Sequence, residues 1–460
     1  MITRSFFLVI ILIHSVFCRE YLLEELLVEA INNSKELKVM ELELKKADYQ
    51  VLEVTGKGMP QISGSLNFNH ASNFLYIDEE KLQNSLNTNL QNSDISDKKL
   101  AGSIISQSLS LSGEMLKIPE NSMIATLDIK QVLFAQGKVR LGIRAAKAHQ
   151  RTLICKYNYE KMKLKSAIMI SFYSAILAQK NVSICSEAVL LAEQTHRLAV
   201  ITHLVGRASE LDTLSSLYNL EKARLELQKS ESSRKVVFQT IITQSGIPIE
   251  PCDFSVVGEF DEKEFKLSID EVLSLVLRQN PNLIQLKGAR EIQESLVNIA
   301  RNDLYPSVYA GASMNGYAMF NRVSDLTGPG LGNEGRIYAG LNWDLFTGLS
   351  RIYKIKQAEA DLDKFQFSEQ QSTELLQLQA RNAYEQVVQS KNNLMSTRSL
   401  ISLAEKRYAI ARKAFEVGSK TILDVQNAEF ELNSAKMSLN AAQFSLQSAV
   451  ISLRLLMSNL

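Results

Sequence analysis

Proline and glycine are scarce: 7 and 20 in 460 residues. They cluster at a few places and leave long uninterrupted stretches rich in Ala, Leu, Glu, Lys and Gln. That composition excludes a loop-rich or low-complexity chain and favours long helices. Cysteine is also rare, at 4. Cys18, Cys155, Cys185 and Cys252 are far apart, and no CxxC or Cys/His spacing is present, which excludes a zinc module and a disulfide framework. His70, His149, His196 and His203 are scattered. No Ser/His/Asp constellation, phosphate loop or metal-ligand spacing accompanies them, so no catalytic residue, cofactor or metal is expected and the chain does not read as an enzyme. His196 and His203 fall two turns apart on one helix, a plain helix surface rather than a metal pair. The net charge of +1 gives no argument for a nucleic-acid partner. Beyond the N-terminus no apolar run reaches membrane-spanning length. The closest, 166–179, is uncharged and reads as a buried stretch of helix.

What is present begins with an export signal. Arg4 precedes an apolar run from Phe6 to Phe17, and Arg19-Glu20 restores charge. The run suits a secretory signal peptide over 1–18, with Val16 and Cys18 at the cleavage positions. The alternative, a lipidated Cys18, is disfavoured by Phe17 just before it. An exported chain without a membrane helix is soluble or inserts as a β-barrel.

The chain then repeats itself. Val205-Gly206-Arg207-Ala208-Ser209-Glu210-Leu211-Asp212 returns at the same spacing as Val417-Gly418-Ser419-Lys420-Thr421-Ile422-Leu423-Asp424. Leu133-Phe134-Ala135-Gln136-Gly137 corresponds to Leu345-Phe346-Thr347-Gly348, and Met59-Pro60-Gln61 to Tyr305-Pro306-Ser307. A helical run precedes each proline, from about Leu22 to Glu53 and from about Ser268 to Asn302. The first repeat is expected over 19–250: a helix, strands 61–70 and 122–134, and a helical hairpin 137–245. A linker, 251–267, leads to the second repeat over 268–460: a helix, strands 307–320 and 335–346, and a hairpin 348–457.

The strands alternate with period two. Ile62, Gly64, Leu66 and Phe68 oppose Gln61, Ser63, Ser65 and Asn67, and Ile337, Ala339, Leu341, Trp343 and Leu345 oppose Arg336, Tyr338, Gly340 and Asp344. Two readings fit: a sheet with its apolar side on a core, or a membrane barrel with its apolar side on lipid. Four strands do not close a membrane barrel, so the second reading needs an oligomer. Phe68, Tyr305, Trp343 and Phe346 would suit an interfacial aromatic belt. The connections, 72–121 and 321–334, read as polar loops.

The long helices follow a heptad. Val425, Ala428, Leu432, Ala435, Leu439, Ala442, Leu446, Ala449, Leu453 and Leu456 alternate steps of three and four, as do Ile401, Ala404, Tyr408, Ala411 and Phe415. The matching first-half stripe, Thr213, Ser216, Leu220, Ala223, Leu227 and Ser230, is more polar. Gly206 and Gly418 are expected at positive φ, reversing the chain. Asp212 and Asp424 are expected about two turns into the following helix.

With two copies of helix, strand pair and helical hairpin, VGxxxxLD turns in both, and one signal peptide, the chain resembles the TolC family of bacterial outer-membrane channels. Phe415-Glu416-Val417-Gly418 followed by Thr421-Ile422-Leu423-Asp424-Val425-Gln426-Asn427-Ala428-Glu429 carries the resemblance most closely. It implies a mainly α fold with a β membrane part: two tandem repeats forming a long α-helical coiled-coil barrel, plus a twelve-stranded β-barrel to which each chain of a homotrimer gives four strands. It implies a place in the outer membrane, in contact with lipid, reaching through the periplasm. The implied function is a passive exit duct of a tripartite efflux pump or type I secretion system. The implied partners are a periplasmic adaptor protein and an inner-membrane transporter, without nucleic acid. Val205, Gly206, Arg207, Leu211, Asp212, Val417, Gly418, Ser419 and Leu423 would form the adaptor-docking turns. Asp424 and Asn427 would line the pore constriction; Asn427 stands where well-known members carry a second aspartate. The alternative is a periplasmic structural coiled coil without channel activity.

Overall fold

The structure is a computed structural model that describes residues 19–70, 79–92, 97–115, 121–206, 208–251, 253–261, 265–320 and 331–459. The signal peptide with Val16 and Cys18, the turn residue Arg207, Cys252 and Gly328-Pro329-Gly330 lie outside the described residues.

The first repeat opens with β1 (Arg19–Tyr21), α1 (Leu23–Asn33) and α2 (Lys35–Gly56). Next come β2 (Gln61–His70), α3 (Glu79–Gln91), α4 (Lys98–Met115) and β3 (Asn121–Phe134). The hairpin follows as α5 (Lys138–Leu204) and α6 (Glu210–Ser245), and β4 (Phe254–Val256) comes after it. The second repeat comprises α7 (Ile269–Gln279), α8 (Pro281–Asn302), β5 (Ser307–Phe320), β6 (Leu331–Asn342), α9 (Ser350–Glu416) and α10 (Ile422–Leu456). α5 and α9 have 67 residues each, on the order of 100 Å at the rise of an α-helix.

Several elements differ from expectation, each for a local reason. The helical run before each proline is two helices. Asn280 precedes Pro281, whose ring disfavours helical backbone at the residue before it, and its ψ is 124°. The Asn280 amide donates to Leu456 O at 3.2 Å and its Oδ1 accepts from the Asn282 N–H at 2.9 Å, so the break is capped. At the first break Ser34 is extended, and its Oγ accepts from the Leu37 N–H. The connection 72–121 carries α3 and α4 rather than loop alone. The linker 251–267 holds β4, which pairs in parallel with β1 from Arg19↔Phe254 to Tyr21↔Val256. β6 lies four residues earlier than the expected 335–346, because the β5 ladder runs from Ala318↔Leu331 to Ser307↔Asn342. Trp343 and Leu345 therefore fall beyond the strand. The Trp343 indole N–H donates to Leu304 O at 3.1 Å.

The compact units do not follow the repeats. One comprises 1–50, 145–294 and 359–460; the other 51–144 and 295–358. The helical unit has two cores. Around β1 and β4, Tyr21, Leu26, Ile168, Phe172, Phe238, Ile241 and Phe254 are buried together. Tyr21 stacks on Phe254 at 5.3 Å and Phe238 meets it edge-on at 5.2 Å. Around α7, Val272, Val276, Leu283, Leu376, Ala380, Val450, Leu453 and Met457 form the second. α5 alone among the described helices carries a window long and apolar enough to cross a membrane, where no such window was expected beyond the N-terminus. Ile168, Phe172, Tyr173, Ala175 and Ile176 within it are buried in the first core, which accounts for their apolarity.

The second unit holds one antiparallel sheet in the order β2-β3-β5-β6. Its register sorts the side chains by face. One row is Ser63–Asp128–Ser313–Arg336 and the next is Ile62–Ile129–Ala312–Ile337. On the polar face Tyr338 Oη donates to Asp128 at 2.8 Å, and Lys130 Nζ lies 4.4 Å from the Tyr309 ring centre. On the apolar face Ile62, Leu66, Phe68, Leu127, Met314, Ile337 and Leu341 are all exposed. A sheet resting on a core of its own chain would bury that set.

Candidate functional site: the two helical turns and the inner face of α10

Each hairpin turns by the same two devices. Gly206 and Gly418 take φ of +75° and +79°, the left-handed conformation that lets a helix end and the chain reverse. The Gly206 N–H donates to His203 O, and the Gly418 N–H to Phe415 O, both at 2.9 Å. The Ser419 N–H reaches back to Ala414 O at 2.9 Å and closes the second turn.

The second device starts the next helix. Ser209 and Thr421 are N-caps, and Asp212 and Asp424 complete capping boxes. The Asp212 N–H donates to Ser209 Oγ at 3.2 Å, while the Ser209 N–H donates to the Asp212 carboxylate at 2.9 Å. The pattern recurs with Asp424 N–H to Thr421 Oγ1 at 3.3 Å and Thr421 N–H to the Asp424 carboxylate at 3.0 Å. Both hydroxyls donate to the same carboxylates, at 2.7 and 2.8 Å. The aspartates thus stand in the first turn of their helices, not two turns in, because the helix starts at the Ser/Thr cap and not at the glycine. Hydrogen bonds from Ser209 hold the Asp212 carboxyl below the usual carboxylate range. Those from Thr421, backbone first, do the same for Asp424, with Lys420 Nζ 3.7 Å away adding a smaller pull.

Lowered carboxylate pKa values stabilise the folded turns above the ordinary range, and that contribution is lost as pH falls through the folded values. Thr421→Ala removes the hydroxyl on which the box is built. It is expected to destabilise the α10 start by about 1 kcal/mol, read as faster amide hydrogen exchange at 422–425 with little change at 440–450. Unchanged exchange at 422–425 would count against the cap.

Glycine, Ser/Thr and Asp in these motifs are explained by the turn itself. The apolar members are not: Val205, Leu211, Val417 and Leu423 are exposed, Val417 at 81%. Leu204 and Leu214 extend that patch on the first turn. Asn427, one turn beyond Asp424, is exposed as well.

A second feature lies on α10, where sequence reasoning followed only the apolar heptad. Val425, Ala428, Leu432, Ala442, Ala449 and Leu453 of that heptad are buried, but so are Gln426, Glu429, Asn440 and Gln447. Gln426, Asn433, Asn440 and Gln447 repeat every seven residues, a polar stripe beside the apolar one. At its turn-proximal end α10 faces α5 and α6 across a cavity of about 780 Å³. Both Gln426 side-chain polar atoms and Asn433 Oδ1 are enclosed without a hydrogen-bond partner among the described residues. Glu429 lies between them, 7% exposed, and burial pushes its carboxyl up to about 7.

Among the described residues no group of His, Cys, Asp and Glu could hold a metal ion. His196 Nδ1 is 2.9 Å from Ser216 Oγ and His203 Nδ1 is 2.9 Å from Ala208 O, so each imidazole has its own partner. Cys185 is a buried free thiol whose pKa burial raises, and Cys155 is also free.

Fold and turns together define a class: a duplicated chain carrying a four-stranded antiparallel sheet and two long helical hairpins that end in matched glycine turns. Residues 272–459 match the family of outer membrane efflux proteins. No curated protein matches the chain. Among solved structures, the CmeC outer membrane channel of Campylobacter jejuni is similar with a TM-score of 0.75 at 15% identity, over 95% of this chain and 85% of that one. The outer membrane protein VceC of Vibrio cholerae is similar with a TM-score of 0.71 at 16% identity, over 95% of both chains. CusC is similar with a TM-score of 0.74 at 14% identity, over 96% of this chain and 93% of that one. The family match covers nearly all of the second repeat, and the whole chain shares the fold of these solved outer-membrane proteins. The matched family and these solved structures are outer-membrane efflux proteins and channels, and not enzymes.

Proposed function

We propose that three copies of this chain form a channel-tunnel that serves as the passive exit duct of a tripartite efflux pump or a type I secretion system. The observation that carries the reading is the sheet: among the described residues β2 and β6 have open edges and the side chains of the apolar face are exposed. Unpaired strand edges have no place in a bilayer, so closure with other copies satisfies them. Three four-stranded sheets then make one barrel, with Asp128, Lys130, Arg336 and Tyr338 towards water and Ile62, Ile129 and Ile337 towards lipid.

In the same reading the hairpins of three copies wall a tunnel and the glycine turns form its inner tip. Val205, Gly206, Arg207, Leu211, Asp212, Val417, Gly418, Ser419 and Leu423 are the docking turns for a periplasmic adaptor protein, with an inner-membrane transporter behind it. The exposed Val and Leu side chains support this, because the turn geometry does not require them. Asp424, with Asn427 one turn on, lines the constriction. Its lowered pKa keeps the carboxylate charged at neutral pH, and three such charges at a narrow mouth attract cations.

Single-channel conductance in a planar bilayer tests both levels. The wild type is expected to give small, cation-selective steps, and Asp424→Ala to widen them and lose most of the selectivity. Steps unchanged by the substitution would keep the duct and remove Asp424 from its constriction. Folded, inserted protein that conducts nothing would favour a structural coiled coil.

A further inference from the structure

The cavity beneath the turns has the features of a ligand site that conduction does not require. Its volume of about 780 Å³ is within the usual range for small-molecule sites. On the α5 side the cavity is apolar, with Ala188 and Ala192. The wall across from it is α10, which brings apolar Phe430 and Met437 and polar Gln426, Glu429 and Asn433, the last three at i, i+3 and i+7 on one side of the helix. These groups are built in rather than solvated. Gln426 is 8% exposed and Glu429 7%, and three polar atoms of Gln426 and Asn433 have no partner among the described residues. Burying such groups unsatisfied carries their full desolvation penalty, and a ligand that supplies hydrogen bonds recovers it.

Of the three unpartnered atoms, Gln426 Oε1 and Asn433 Oδ1 are acceptors and Gln426 Nε2 is a donor, and with the Glu429 carboxylate counted the acceptors outnumber the donor. Glu429 offers two carboxylate oxygens, Gln426 Oε1 a third and Asn433 Oδ1 a fourth, and no ion pair reaches Glu429 among the described residues. Lys222, the cation of the opposite wall, stands 5.2 Å from the centre of the Phe430 ring. The group that matches acceptors one helical turn apart around a carboxylate is an ammonium with three N–H donors. We propose that this cavity binds a primary organic ammonium ion, its –NH3+ held by Glu429, Gln426 and Asn433 and its apolar body against Phe430 and Met437.

Ionised Glu429 is the form that binds, so affinity is expected to rise with pH through neutrality. The other charged or titratable groups facing this region are Cys185 of α5, Lys222 and Glu226 of α6, Tyr408 and Arg412 of α9, and Lys436 of α10. Cys185 and Tyr408 have pKa values raised by burial, and Lys436 pairs with Glu187 at 2.9 Å.

Isothermal titration of the purified full chain in detergent micelles with phenethylammonium is the test. Binding at pH 8 is expected to be at least tenfold tighter for the wild type than for Glu429→Gln. It is also expected to be at least tenfold tighter than that of tetraethylammonium, which has the same charge and no N–H. Gln426→Leu, which keeps the volume and removes an acceptor, is expected to weaken binding severalfold with unchanged helical circular dichroism. Equal affinity in the wild type and Glu429→Gln would overturn the site. So would equal binding of tetraethylammonium, or the absence of any heat from wild-type protein that is folded. None of these readouts depends on channel activity, so failure here leaves the duct reading untouched.

Discussion

Glu429→Gln is expected to stabilise the chain, by up to about 3 kcal/mol at pH 8 and by almost nothing at pH 4. Burial alone pushes this carboxyl from an ordinary 4.5 up to about 7, with no ion pair among the described residues to offset the lost hydration. Between those two values the folded chain keeps a proton that the unfolded chain has released. Stability therefore falls as pH rises across this window, and the whole penalty is present above about 7. The gap between 4.5 and about 7 corresponds to about 3 kcal/mol at about 1.4 kcal/mol per pH unit. Glutamine has nearly the same shape and no charge to bury. Thermal unfolding followed by circular dichroism at pH 4, 6 and 8 should show a wild-type midpoint that drops relative to the variant as pH rises. Parallel curves for the two proteins would place Glu429 in water or against a cation, contrary to its position in the structure.

That a carboxylate costing this much sits in the wall of α10 was not legible in the sequence, although the heptad around it was. Val425, Ala428 and Leu432 mark one seam at coiled-coil spacing, and a helix with a single seam exposes its other faces. Gln426, Asn433, Asn440 and Gln447 then read as solvated flank. In the fold α10 packs against neighbours on more than one side, with α6 and with the α7 core, so its buried face is wider than one seam. A polar repeat of seven beside an apolar repeat of seven was the available signal.

Backbone chemistry was more legible than its phase. The VG…LD octets show where the chain reverses, since glycine at positive φ and a Ser/Thr cap are local requirements. Counting from the glycine rather than from the cap put Asp212 and Asp424 too deep in their helices. Alternation showed the two faces of β6, and its register with β5 moved the strand by four residues without exchanging them, because a shift of an even number preserves the faces. The break at Asn280 was signalled by Pro281, although the expected run from Ser268 to Asn302 passed through it. The pairing of β1 with β4 was not, because strands of three residues carry no periodicity and their partners lie more than 230 residues apart. What spoke against a sheet packed on a core of its own chain was exposure, which depends on the rest of the fold and not on the strands alone.

Ile337→Lys is the sharpest test of that exposed face. Ile337 lies in the middle of β6, 89% exposed, in register with Ala312, Ile129 and Ile62. If the row faces lipid, a lysine there must carry its charge into hydrocarbon, at about 2–4 kcal/mol near the bilayer midplane. Three copies around one barrel incur the cost three times. Ser63→Lys introduces the same charge on the neighbouring row, across from Asp128 on the polar face. There the added cation meets a carboxylate and water, and assembly should proceed. In outer-membrane fractions, Ile337→Lys is expected to fall at least tenfold below the wild type while Ser63→Lys stays within a factor of two. Equal membrane yields for the two variants would mean that protein, not lipid, covers Ile337. In that case the open edges of β2 and β6 would have to be satisfied in some other way than by closing a barrel.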